Sequence, residues 1–149
     1  MKLFFDTNIL LDVIAKRTPF YKTAALVWGM AERHQVDAYI STISINNIYY
    51  IVRKAAGKPK ADAALVLLRD IFDFVAPDRQ LVNQAIDSSI DDFEDAIQFY
   101  SAIRIQADYL ITRNAKHFPT DEIPIIAPDE FLATLSTKNQ VDGRPQTED

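Results

Sequence analysis

Lys2-Leu3-Phe4-Phe5-Asp6-Thr7-Asn8 is an apolar run stopped sharply by polar residues, after which Ile9, Leu10, Val13 and Ile14 recur at helical spacing. This reads as a buried strand feeding a helix. An acid that closes a buried apolar strand is costly to desolvate without a partner. Asp6 is therefore a candidate functional residue, beside the simpler reading of Asp6-Thr7-Asn8 as a helix cap with an Asx turn.

Outward from that junction, Pro19 ends the first helix and a second periodic stretch runs from about Lys22 to Arg33. Asp37-Ala38-Tyr39-Ile40-Ser41 reads as a second strand. Ser44 is placed to cap a helix reaching Ala56, with Gly57-Lys58-Pro59 as its stop signal. A helix over 61–72, a strand at Phe74-Val75-Ala76 and a helix over 79–87 follow. Asp91-Asp92-Phe93-Glu94-Asp95 opens a helix to about Gln106, its acids suiting the positive end of the helix dipole. Tyr109-Leu110-Ile111-Thr112 and Pro124-Ile125-Ile126 are the fourth and fifth strands, and Asp129 to Leu135 a last short helix. From Ser136 the sequence turns polar, with Gly143 and Pro145, so the expected organisation is one domain over 1–135 and a frayed tail over 136–149.

Short apolar strands alternating with helices imply a three-layer α/β/α fold around a mostly parallel sheet of about five strands. In such sheets functional groups collect beyond the C-terminal strand ends. A chain of 149 residues suits a single core. It has 48% hydrophobic and 25% charged residues and three glycines, which argues against a disordered or fibrous chain. With no cysteine, disulfides, thiolate metal sites and cysteine nucleophiles are excluded. The opening apolar run is too short for a signal peptide, and no stretch approaches the roughly 18 apolar residues that span a bilayer. A cytoplasmic protein without membrane association is expected. The net charge of −5 and pI of about 5.0 repel a phosphate backbone in bulk, which counts against a plain nucleic-acid-binding module. A metal-dependent nuclease escapes that objection in part, because cations bound by clustered acids restore positive potential locally.

Three strand ends would open on one edge of the sheet: Asp6-Thr7-Asn8, Ser41 to Asn47, and Thr112-Arg113-Asn114. The acidic turn Asp91 to Asp95 precedes the fourth strand and can approach the same edge. Asp92 and Asp95 are three apart and share a helix face, while Asp91 and Asp95 are four apart. Carboxylates gathered this way raise one another's pKa values, an arrangement that persists when a cation neutralises them. Oxygen ligands with no cysteine and two histidines point to magnesium or manganese.

The order Phe5-Asp6-Thr7-Asn8, Ser44-Ile45-Asn46-Asn47-Ile48-Tyr49-Tyr50, Asp92-Phe93-Glu94-Asp95-Ala96 and Ile111-Thr112-Arg113-Asn114-Ala115-Lys116-His117-Phe118 resembles a PIN domain. It is similar in particular to the VapC-like toxin group, over roughly residues 1–130. That resemblance implies a Mg2+- or Mn2+-dependent endoribonuclease acting on RNA, often a homodimer and often neutralised by an antitoxin protein. It implies Asp6 as the first metal ligand, Asp95 as a further acidic position, and Asn8 and Thr112 as supporting hydrogen-bond residues. Two positions depart from the family pattern: Asn47 stands where many members have a glutamate, and Asn114 where many have an aspartate. Asp92 can make up part of the lost charge.

The site expected from sequence is thus Asp6, Asp95 and Asp92 as metal ligands and catalytic acids, supported by Asn8, Asn47, Thr112 and Asn114. Arg113, Lys116 and Arg104 are the expected phosphate contacts. Asp91 and Glu94 read as solvated first-turn acids, His117 as a structural or exposed loop residue, and Tyr49, Tyr50, Trp28 and Phe99 as core or subunit contacts. The main rival is a PIN-like module that binds RNA or a protein without cutting. A receiver-type phosphotransfer domain fits worse: it would want a second acid where Asn8 stands and a lysine closing the fifth strand near Ile126.

Overall fold

The computed structural model describes the backbone of residues 1–142 and the side chains of residues 1–140. β1 (Lys2–Phe5) is the middle of five parallel strands in the order β3-β2-β1-β4-β5, with β2 at Asp37–Ser41, β3 at Asp73–Val75, β4 at Tyr109–Ile111 and β5 at Ile125–Ile126. Successive side chains of a strand face opposite ways. Accordingly Leu3, Phe5, Ala38, Ile40 and Ile111 enter one core, while Phe4 and Leu110 enter a second on the other face. A sheet buried on both sides explains why its strands read as unbroken apolar runs.

The first face carries α1 (Thr7–Ile14), α2 (Tyr21–Glu32), α3 (Thr42–Ala56), α4 (Lys58–Ile71) and α7 (Pro128–Asp142), packed around Trp28, Phe72 and Phe131. The opposite face carries α6 (Phe93–Arg104), with α5 (Arg79–Asp87) packed against it through Leu81, Ala85, Ala96 and Ile97. The fold is therefore the expected three-layer α/β/α sandwich.

The departures lie at element ends. Ser41, not Ser44, caps α3, accepting a bond from the Ile43 amide, and Ser44 is instead a fully buried interior residue. Pro59 stops nothing. It sits in the first turn of α4, where its missing N–H would have no partner anyway. The last helix does not fray at Leu135 but continues to Asp142. Its polar end is a solvated helix, with Ser136 and Thr137 bonding back to Leu132 and Ala133 carbonyls, and the first breaker in the sequence is Gly143. The rest of the expected tail, 143–149, lies outside the described residues.

Candidate active site

β1 leads to β2 and β3 on one side of the sheet, whereas β4 and β5 lie on the other, so the strand order reverses between β1 and β4. Such a reversal opens a crevice beyond the C-terminal strand ends. Asp6 closes β1 and Thr112 follows β4, and they meet there. Thr112 Oγ1 donates to Asp6 Oδ2 at 2.8 Å, with both residues buried. Thr112 also accepts from the Asn114 amide at 3.1 Å, which fixes the hydroxyl between the two.

Asp6 occupies the N-cap position of α1, yet its side chain makes no capping bond. The carboxylate is free of the local duty that would explain it away. Burial pushes its pKa above the usual carboxylate range and the Thr112 hydroxyl pulls it back. The charge of Glu94 raises it again, and the nearby Thr7 and Asn8 amides oppose that.

Asp92 behaves differently. It is the exposed N-cap of α6, accepting from the Asp95 amide at 2.9 Å, so the capping role holds for this acid. Asp95, in the first turn of α6, is raised to about 6 by partial burial and by the charges of Asp6, Asp92 and Glu94, against the influence of His117. His117 Nδ1 lies 3.8 Å from Asp95 Oδ2.

Asp6, Asn8, Asn47, Asp92, Asp95 and Asn114 line a single open cleft of about 580 Å³, with Thr112 beneath it. Of the predicted ligands and supporting residues, none lies elsewhere. The donors suit a hard divalent cation: all the acids offer oxygen, and the charges of Asp6, Asp92 and Glu94 oppose the ionisation of Asp95. Among the described residues no three acidic or histidine side chains converge into a ready-made cage. Magnesium, which keeps several waters and takes one or two carboxylates, needs none.

The predicted phosphate contacts fare unevenly. Arg113 is not available: its guanidinium holds the fully buried Asp12 of α1 through two bonds of 2.7 and 3.2 Å and stacks over Phe20. Arg104 pairs with Asp78 at 2.8 Å, on the last turn of α6, at the opposite end of that helix from Asp95. Only Lys116 stands by the cleft, exposed on the wall of an adjoining cavity that shares Asp92, Asp95 and His117.

Sequence reading missed several cleft residues. Glu94, set aside as a solvated acid, lines the cleft and accepts a bond from Thr7 at 3.0 Å. His117 faces the same space, and Tyr50, 64% exposed, stands at its rim rather than in the core. Trp28 and Phe99 are core residues, as expected. A second groove, of about 660 Å³ and mostly apolar, adjoins the cleft through Leu11 and Ile51 and runs between α1, α2 and the α3–α4 hairpin past Trp28 and Leu67. No described helix is long and apolar enough to cross a membrane.

A family model described as PIN domain matches residues 2–116. No curated protein matches the sequence significantly. Among solved structures, the fold is similar to that of a toxin-antitoxin complex from Klebsiella pneumoniae, at 22% identity over 85% of this chain and 97% of that one, with a TM-score of 0.64. It is similar to VapBC2 from Rickettsia felis bound to a promoter DNA fragment, at 19% identity over 84% and 97% of the two chains, TM-score 0.63. It is also similar to the Sarcin-Ricin loop cleaving toxin VapC20 of Mycobacterium tuberculosis, at 18% identity over 80% and 91%, TM-score 0.60.

Proposed function

The chain belongs to the PIN domain family, a family of nucleases, and from that membership we propose that it is a divalent-metal-dependent endoribonuclease acting in the cytoplasm as the toxin of a toxin-antitoxin pair. The observation that carries this reading is the meeting of Asp6 and Asp95 in one cleft at the reversal of the sheet.

In this reading Asp6 and Asp95 hold Mg2+ or Mn2+, with Asp92 reaching it from the rim. Bound there, the ion supplies a Lewis acid that lowers the pKa of water and stabilises the leaving oxygen of a phosphodiester. Thr112 fixes one Asp6 oxygen by donating to it, and Asp6 itself lines the cleft. The amides of Asn8, Asn47 and Asn114 line the cleft as neutral donors and acceptors that can orient water or a phosphate oxygen. Lys116 is the cation placed to meet the RNA backbone.

An antitoxin partner is part of the proposal, supported by the apolar groove beside the cleft and by the assemblies named for the similar structures. A homodimer belongs to it through the family resemblance. The test is RNA cleavage with and without Mg2+ for the wild type and Asp6→Asn. Cleavage that needs Mg2+ and falls at least about 100-fold in Asp6→Asn is expected, since Asp6 would be both ligand and electrostatic centre. Metal-dependent cleavage that survives the substitution would sink the role given to Asp6.

A second reading, a module that binds RNA without cutting, is favoured by the amides of Asn47 and Asn114 and by the lack of a three-acid cage among the described residues. Retained RNA binding with no cleavage in either Mg2+ or Mn2+ would favour it.

A further inference from the structure

Beneath the cleft, three buried polar side chains from three helices touch one another. Thr7 (α1) and Ser44 (α3) are 2.7 Å apart at their hydroxyls, and the Gln98 (α6) Nε2 lies 3.0 Å from each. Thr7 Oγ1 then donates to Glu94 Oε1 at 3.0 Å. All three side chains are buried, so the protons available to them can be counted.

The four contacts need four protons, and the two hydroxyls with the two amide hydrogens supply four, provided that Gln98 turns its NH2 toward them. Turned the other way, Gln98 would offer only an acceptor, and the hydroxyls alone could not bridge all the oxygen pairs. The orientation has a cost: Gln98 Oε1 is buried and takes no hydrogen bond from any described residue. With both amide hydrogens given to the hydroxyls, Ser44 must donate to Thr7 and Thr7 to Glu94. The whole cluster therefore acts as a donor aimed at one carboxylate oxygen.

We propose that Glu94 is a further metal-facing carboxylate of this cleft, and that Thr7, Ser44 and Gln98 are positioning residues that hold it toward Asp6. The inference rests on the metal-dependent reading above. Asp92 and Glu94 differ in the way that matters. Each has one oxygen held, but Asp92 caps α6 and stands exposed, whereas Glu94, held by Thr7, lies half-buried on the cleft wall, near enough for its charge to act on Asp6. In a cleft lined also by Asn47 and Asn114, Glu94 restores one of the charges that a cation needs.

The test is Mn2+ affinity by titration calorimetry on the whole chain, for the wild type, Asp6→Asn, Glu94→Gln, Thr7→Val and Thr7→Ser. Loss of a ligand or of its supporting partner weakens metal binding about 10–100-fold. Glu94→Gln and Thr7→Val are expected to fall in that range, and Thr7→Ser, which keeps the hydroxyl, to stay within about three-fold of the wild type. A merely structural Thr7 would move the melting temperature without moving affinity. If Asp6→Asn abolishes binding while Glu94→Gln leaves it unchanged, the role of Glu94 is overturned and the metal centre stands. If neither substitution changes it, both fall. Glu94→Gln lies on the cleft wall outside the buried cluster, so the test holds even if Thr7→Val fails to fold.

Discussion

At the scale of single residues, the same side chain does opposite work according to what holds it. Asp6 and Asp92 both precede a helix, but only Asp92 caps one. Asp95, raised to about 6, is a net burden in its ionised form at neutral pH in the absence of metal. The sign follows from linkage: the folded state binds the proton more tightly than the unfolded state, so this contribution favours folding below about pH 4 and is lost as pH rises through about 6. Asp95→Asn, without metal, should therefore be more stable than the wild type at pH 7.5, by about 1 kcal/mol once solvent screening of this partly exposed group is allowed for, and equal to it near pH 4. Urea denaturation at the two pH values checks this, and an unchanged or lower midpoint at pH 7.5 would contradict it. Asp6 and Thr112 were legible in the sequence because each ends a strand at the sheet edge. Glu94 was not, because its importance depends on residues 7, 44 and 98, which only the fold brings together. The available signal was Gln98, a polar residue inside the apolar Ala96-Ile97-Gln98-Phe99.

At the scale of elements, strands and helix bodies were readable from periodicity while helix ends were not, and the reason is visible in three of them. After α1, α2 and α6 the chain turns through Lys16, His34 and Gln106 at φ of 49°, 55° and 55°, a left-handed step usually given to glycine. Each closes with paired bonds back into the helix, such as Gln106 to Ile103 and Ala107 to Ala102, so the stop is built without its usual marker. Because a side chain at such a φ costs about 1–2 kcal/mol and glycine gives back about half of that in chain entropy, Gln106→Gly should raise stability by about 0.5–1 kcal/mol. In thermal unfolding that is a rise of about 1–4 °C. Asp12 is a second feature hidden at this scale, an acid within the apolar run of α1 whose partner, Arg113, lies just beyond β4. Arg113→Ala would leave a buried charge unpaired, at a cost of about 3–5 kcal/mol. Lost activity in that variant should thus track a large drop in the urea midpoint, whereas a folded, fully stable Arg113→Ala protein would show that Asp12 does not need it.

For the molecule as a whole, the difficulty is electrostatic: a chain of net charge −5 with an acid-lined cleft must, in the proposed function, hold a polyanion. The cations that a broad phosphate track would need are in part committed elsewhere, Arg113 to Asp12, Arg104 to Asp78 and Lys58 to Asp62. Lys116, which has no ion pair among the described residues, is the one beside the cleft. Counterion release ties the salt dependence of binding to the number of phosphates neutralised, about 0.7 in log–log slope per contact on a single strand. So few contacts predict a shallow slope, of magnitude about 1–2. Binding of a short single-stranded RNA, read by fluorescence anisotropy with Ca2+ in place of Mg2+ to suppress turnover, measures it directly. Lys116→Ala should lower the slope by about 0.7. Arg104→Ala should leave it unchanged, because nine residues of helix put that side chain about 14 Å along α6 from Asp95. A slope steeper than about 4 would require several more phosphate contacts. The RNA would then have to reach further cations, such as the exposed Arg53 and Lys54 of α3 and Lys60 of α4, instead of following the path past Lys116.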